Sequence, residues 1–369
     1  MKRIVFSILT LAAILVSCGD KNQYTIEGKI PGSEYDGKVV YMLDPKVRGT
    51  MLDSATITNG AFKFEGLATD TPLVRALQIF PRTRPAVVVL EKGSIKLSVD
   101  TATNEVIAKG TPLNDAYASY QETQKSMYEE SRKLYEKWEE VSAKGEMTAE
   151  KFKEKTAEQK EFLGKMEDHV SDFIKQNANN GLGEYVFNND TYYLSPEKMG
   201  GLFAVLPASI KESDRFKKIE SRVNAQLATA EGKKYTDVRG FNLKGTEVAL
   251  SEYVGKSKAL LIDFWASWCG PCRRAMPELV KTYKDYSPRG LQIVGISLDD
   301  SKAKWEEATM SDGITWPQFS SLKGWDEPAA KAYGVSSIPH TILLDKDGNI
   351  VGRNLHSDEL KYKLEEMLK

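Results

Sequence analysis

The sequence predicts three folded parts: an all-β, sandwich-like domain at 18–111, a helical segment at 112–230 and an α/β domain at 235–369, preceded by an export segment at 1–17. Three observations carry this division. Short apolar-alternating runs recur up to Thr111, no proline interrupts the chain between Pro112 and Pro196, and strand–helix–strand alternation begins near Tyr235. At about 150 residues per domain, a chain of 369 residues accommodates two to three domains.

Lys2 and Arg3 precede an apolar stretch over 4–16, interrupted by Ser7 and Thr10. That run is too short to span a bilayer and matches the apolar core of a signal peptide. It ends in Leu15-Val16-Ser17-Cys18, which resembles the lipobox of bacterial lipoproteins. The resemblance implies an acylated Cys18 at the mature N-terminus, hence a periplasmic protein tethered to a membrane through lipid. Gly19 follows, where an inner-membrane retention signal would place Asp, so the outer membrane is expected over the inner. Ordinary secretory cleavage with Cys18 incidental is the alternative.

In the first domain, strands are expected at 24–30, 37–43, 51–58, 61–65, 73–80, 86–90, 94–99 and 105–108. Asn59-Gly60 predicts a type I′ turn, since both residues must take positive φ, and Lys92-Gly93 predicts a second hairpin. The region has no His, no Cys past position 18 and no gathered carboxylates, so a structural or binding role is expected.

Glu, Lys, Ala, Gln and Met dominate 114–177, which predicts helix. Gly145, with Thr148 as N-cap, divides it into two helices expected to lie antiparallel. Ser195-Pro196-Glu197 starts another helix, and Phe216, Ile219, Val223 and Leu227 stripe a further one. Tyr117, Tyr120, Tyr128 and Tyr135 fit plain packing or partner recognition. Glu231-Gly232-Lys233-Lys234 reads as a linker.

The last domain predicts strands at 258–265, 291–298, 340–345 and 350–353, with helices at 271–286, from 302, and at 358–368. Its final strands close as an antiparallel hairpin through Lys346-Asp347-Gly348-Asn349.

Lys and Arg number 51 against 52 Asp and Glu, and no basic run is present. Nucleic-acid binding is therefore not expected. With three cysteines there is no disulfide framework, and cysteine chemistry must be local. Cys269 and Cys272 stand in Trp268-Cys269-Gly270-Pro271-Cys272, after an apolar strand and at a helix start. Unpaired N–H groups there stabilise a thiolate, which makes Cys269 the attacking sulfur. Cys272, one turn on and more buried, is placed to resolve a mixed disulfide. A structural zinc needs four ligands, and His169, His340 and His356 have no metal-ligand spacing, so no metal or other cofactor is expected. Haem attachment requires His where Arg273 stands. A static disulfide is the remaining alternative, although so short a loop stabilises little.

Asp263 is the interior carboxylate of an otherwise apolar strand. Desolvation would raise its pKa and suit it to accept the Cys272 proton. A hydrogen-bonded structural Asp is the other reading.

Asp263-Phe264-Trp265-Ala266-Ser267-Trp268-Cys269-Gly270-Pro271-Cys272, with Pro277, resembles the thioredoxin superfamily. Phe241-Asn242-Leu243-Lys244-Gly245, Leu250-Ser251-Glu252-Tyr253 and Gly295-Ile296-Ser297-Leu298-Asp299 resemble its TlpA/ResA branch, and the preceding strands and helices resemble the accessory region of thioredoxin-like lipoproteins. The resemblance covers about 235–369 and implies a thioredoxin-like fold there. It gives Asp263 a proton-accepting role and makes Pro339, in Ser337-Ile338-Pro339-His340, a cis-proline facing the cysteines. Ile338 would then pair with an extended substrate and Trp268 would shape the surface beside Cys269. The branch often carries Glu where Ala275 stands, which leaves Asp263 the better carboxylate. His340 either touches substrate or is inert, and Arg273 and Arg274 either add positive field or are solvated.

The expected protein is an envelope thiol–disulfide oxidoreductase that reduces disulfides in exported proteins and is recharged by a membrane electron donor. A peroxiredoxin-like peroxidase is the alternative enzyme, although no Pro-x-x-x-Thr-x-x-Cys segment occurs. A non-enzymatic binding lipoprotein is the alternative outside enzymes.

Overall fold

In a computed structural model describing residues 22–47, 49–79, 85–355 and 357–369, the early alternation becomes eight strands. They are β1 (Gln23–Lys29), β2 (Val39–Leu43), β3 (Met51–Thr56), β4 (Ala61–Leu67), β5 (Leu73–Gln78), β6 (Ala86–Leu90), β7 (Gly93–Asp100) and β8 (Glu105–Lys109). Two four-stranded sheets form, ordered β4-β1-β7-β8 and β3-β2-β5-β6. Ile26, Phe64, Ile95 and Leu97 of one sheet share a core with Val40, Met42, Leu77 and Val88 of the other. The export segment and Cys18 lie outside the described residues.

Asn59 and Gly60 take φ of 52° and 69°, and Thr58 bridges to Ala61, as the turn chemistry requires. Past that bridge β3 and β4 part into different sheets, so the turn is a corner of the sandwich. Lys92-Gly93 does not make the expected hairpin. Instead β7 leaves β6 to pair parallel with β1 and antiparallel with β8.

The free edge of β6 is occupied by a side chain. Asn114 Oδ1 accepts from Val89 N at 3.0 Å, and Asn114 Nδ2 donates to Val89 O and Thr111 Oγ1, each at 2.8 Å. Glu91 Oε1 accepts from the N–H groups of Leu113 (2.6 Å) and Asn114 (3.2 Å), placing a carboxylate at the N-terminus of the next helix. Asn114→Ala would orphan both Val89 backbone groups and is expected to cost about 2–3 kcal/mol in denaturant unfolding followed by circular dichroism. A loss under 0.5 kcal/mol would mean that water replaces the amide, a threshold set by the usual scatter of surface substitutions at about that value.

Two long helices follow, α1 (Pro112–Ala143) and α2 (Ala149–Gln176). Gly145, at φ 68°, ends α1 with its N–H on Ser142 O, while Glu146 N–H reaches Val141 O. Thr148 Oγ1 accepts from Lys151 N at 3.2 Å and caps α2. The helices are antiparallel: Tyr120 meets Phe173 near one end, with ring centroids 4.3 Å apart, and Trp138 Nε1 donates to Glu158 near the other. Of the four tyrosines, Tyr117 and Tyr120 are core, while Tyr128 and Tyr135 are exposed. Next come α3 (Gly181–Asn189), α4 (Pro196–Phe203, capped by Ser195), α5 (Ala208–Lys211) and α6 (Asp214–Ala228).

The remaining elements are β9 (Arg239–Phe241), β10 (Glu247–Ala249), β11 (Ala259–Trp265), α7 (Gly270–Tyr286), β12 (Leu291–Ser297), α8 (Lys302–Ser311), β13 (Gln318–Phe319), α9 (Pro328–Ala332), β14 (His340–Asp345), β15 (Ile350–Arg353) and α10 (Ser357–Met367). The main sheet runs β13-β12-β11-β14-β15. The first three are parallel and β14 and β15 antiparallel, with the predicted hairpin closed by Asp345 accepting from Asp347 N and Asn349 N. Every residue of β11 is buried, as a central strand of a covered sheet requires. Among the described residues no helix is long and apolar enough to cross a membrane.

Residues 231–234, read as a linker, lie along β15: Gly232 N donates to Ile350 O, Ile350 N to Lys233 O, and Tyr235 N to Gly348 O. An exposed strand edge is satisfied more cheaply by neighbouring chain than by water alone, which Gly- and Lys-rich composition does not reveal. Among the described residues, the contacts group those up to Tyr135 with Asp172–Asp190, and those of Glu136–Ser171 with Thr191–Lys369. In the second group β15 ends in Arg353, whose half-buried guanidinium donates to Thr229 O (2.6 Å), Thr229 Oγ1 (2.8 Å) and Tyr333 O (2.8 Å). Those residues cap the C-terminal ends of α6 and α9, where exposed carbonyls favour a cation.

Candidate active site

The strand β11 delivers the chain to the sheet's C-terminal edge, and α7 begins at Gly270 with Cys269 as N-cap. Cys269 and Cys272 form a disulfide with Cα atoms 5.2 Å apart. Cys269 Sγ accepts from Cys272 N at 3.1 Å, so the helix N-terminus is directed at this sulfur. Both cysteines are nearly covered, at 4 % and 2 % exposure, so burial alone separates them little. Their surroundings separate them: Cys269 Sγ lies 3.7 Å from Ile338 O, whereas Cys272 lines a small, partly open cavity.

That cavity, about 50 Å³, is also lined by Asp263, Glu278, Thr282, Pro339 and Thr341. It is roomy enough for water. Asp263 sits mid-strand opposite Gly295 and Thr341, and its Oδ2 has no hydrogen-bond partner among the described residues. Burial pushes its carboxyl pKa up to about 7. The alternative of a fully hydrogen-bonded structural Asp is thereby weakened. The Ile338–Pro339 peptide bond is cis and Ile338 is half-buried. Trp268 is half-exposed beside Cys269.

Arg273 does not supply the free positive field considered for it. It pairs with Asp312, donates to Ser311 Oγ at 3.0 Å and to Ser267 O at 3.3 Å, and so tethers the loop before Cys269. Asp312 supplies the compensating charge, a long-range pairing with no local signal. His340 is half-buried, with Nε2 3.5 Å from Arg353 Nη2 and its ring edge-on to Phe264. His356 lies outside the described residues. Among the described residues no group of three or more His, Cys, Asp or Glu could hold a metal ion.

The roles of two residues escaped sequence reasoning. Asp299 is fully buried past the end of β12 and accepts from Ser267 N (3.0 Å), Ser267 Oγ and Ser297 Oγ (2.7 Å). It clamps the loop that carries Trp268 and Cys269. In the sequence Asp299 stands only as the end of the stretch at 295–299 that resembles the TlpA/ResA branch, and the signal for its role is position, an acidic residue following a parallel strand beside the one that leads to the cysteines. Trp325, in the turn before α9, lies with its ring centroid 6.1 Å from that of Trp268. Nothing local in its Gly-Trp-Asp context announces that neighbour.

Residues 231–353 match the AhpC/TSA family, and residues 24–117 match a domain of unknown function, DUF4369. The thiol–disulfide oxidoreductase ResA of Geobacillus thermodenitrificans is 30 % identical over 143 residues, covering 38 % of this chain and 79 % of that protein. ResA of Geobacillus kaustophilus is 32 % identical over 125 residues, covering 34 % of this chain and 69 % of its own. A thioredoxin domain of a thiol–disulfide oxidoreductase from Bacteroides vulgatus is 33 % identical, covering 38 % of this chain and 99 % of that domain, with a TM-score of 0.35.

Proposed function

The chain belongs to the ResA family of thiol–disulfide oxidoreductases, and we propose that it works in the cell envelope as a reductase of disulfides in exported proteins. One observation carries the chemistry: the Cys269–Cys272 pair at the N-terminus of α7, with the cis-proline segment beside Cys269 and Asp263 beside Cys272.

The Cys269 thiolate attacks a substrate disulfide, forming a mixed disulfide and expelling one substrate thiolate. Cys272 then gives its proton to Asp263 and attacks the Cys269 sulfur. The Cys269–Cys272 disulfide forms, the second substrate thiolate leaves, and the substrate has gained two electrons. Ile338 offers its backbone to an extended substrate, and Trp268 and Pro339 shape the approach. A membrane electron donor returns the pair to the dithiol. Acylation of Cys18 would hold the protein at the membrane surface, the outer membrane by its Gly19.

The AhpC/TSA match favours a peroxidase as the second reading. Against it stand the two thiols one helical turn apart and the lack of a Pro-x-x-x-Thr-x-x-Cys segment.

Direction is tested by the reduction potential of the pair in a glutathione or dithiothreitol buffer. A value near thioredoxin's, about −270 mV, is expected, and one near about −120 mV, as in DsbA, would overturn the reductase direction.

A further inference from the structure

A protein disulfide can react here only if its own polypeptide settles beside Cys269, so the side chains around that sulfur select among substrates. Two large aromatic side chains left partly in water stand there. Trp268 and Trp325 are 50 % and 48 % exposed, with ring centroids 6.1 Å apart and planes inclined at 55°. Leu322, on the Trp325 loop, is also exposed. So is Phe241, which exchanges two backbone hydrogen bonds with Ser320 at the start of that loop. An exposed aromatic pair beside a reactive sulfur, with further exposed apolar residues on and next to the loop that carries it, marks a surface that meets a partner.

The loop is built to hold these side chains out. Ser320 Oγ donates to Ser297 O at 2.7 Å and accepts from Leu322 N at 3.0 Å. Glu327, fully buried, accepts from Ser321 N (2.7 Å), Ser321 Oγ (2.6 Å) and Ala329 N (3.4 Å). Leu322 is thereby held at φ +56°, a left-handed conformation that a bulky L residue rarely adopts. An over-determined loop that strains its backbone while leaving Leu and Trp in water is poorly explained by packing within the fold.

We infer that Trp325, with Trp268 and Leu322, forms an apolar platform that favours protein disulfides whose cysteine is flanked by a large aromatic or aliphatic side chain. The inference rests on the reading that Cys269 attacks first. Continuity with that sulfur commits the platform to a disulfide-bearing polypeptide: a cysteine over Cys269 places its neighbouring side chain against the Trp pair.

The test uses the full chain, reduced, with two disulfide-bonded peptides that differ only in Phe or Ser beside the cysteine. Wild type is expected to prefer the Phe peptide about tenfold in kcat/KM. Trp325→Ala is expected to erase that preference, and Trp325→Phe to retain it. An unchanged preference in Trp325→Ala, or equal rates for both peptides in wild type, overturns the platform. Oxidised glutathione, which carries no large apolar side chain beside its cysteine, separates the two readings: if the wild-type protein reacts with neither peptide nor glutathione, the exchange chemistry itself is wrong.

Discussion

Cys272→Ser is expected to accumulate as a mixed disulfide with its substrate, while Cys269→Ser forms none and loses insulin-disulfide reduction by about 10³-fold or more. The asymmetry follows from the different neighbours of two sulfurs only one turn apart. Cys269 accepts the Cys272 N–H and sits at the mouth of α7, where a thiolate is stabilised before any substrate arrives. Cys272 instead lines the cavity it shares with Asp263, where its proton can be accepted. Serine cannot form a disulfide at either position, so each variant halts at its own step. Non-reducing gels and intact-mass spectrometry distinguish the two products. A mixed disulfide on Cys272 in the Cys269→Ser chain would reverse the assigned order.

The second large effect concerns stability against pH. Asp263 has a carboxyl pKa of about 7 in the fold, against 3.8 for the free group, so between those values the folded chain holds a proton that the unfolded chain has released. The native state therefore binds more protons, and stability falls as pH rises through this window. Full loss is reached above about pH 7 and amounts to about 4 kcal/mol. Asp263→Asn keeps the shape without the charge. With the disulfide intact, the variant should match wild type near pH 4 and exceed it by about 4 kcal/mol at pH 8. Five of the six tryptophans lie within 235–369, so fluorescence during urea unfolding reads mainly the relevant domain. A difference that does not change with pH would mean that Asp263 does not titrate in this window. In catalysis, the same variant should slow release of the mixed disulfide by about 10²-fold while leaving the first attack intact.

Local chemistry made the centre of this site readable. Cys269 and Cys272 stand one turn apart after an apolar strand, Asp263 is the polar exception within that strand, and Pro339 has a recognisable neighbourhood. Each signal fits within a few residues. What stayed hidden depends on distant partners. Arg273 looks like a free cation until Asp312, 39 residues on, neutralises it. Asp299 becomes a clamp only because β11 and β12 end side by side. Lys92-Gly93 has the composition of a hairpin turn, and its chemistry does not say which sheet receives the following strand. The edge of β6 is instead met by Asn114, 25 residues from Val89.

The grip on Arg353 bears on how such a catalytic module can be inherited or transplanted. Its visible start, near Tyr235, is not its physical start. A recombination event joining new sequence at that point would strip Thr229 from a half-buried cation and Gln226 from the Gly334 carbonyl it donates to. It would also remove the backbone laid along β15. The smallest transferable piece therefore carries the end of α6 with it. Diversification of the preceding segment is constrained from about Gln226 onward by a sheet lying more than a hundred residues later in the chain.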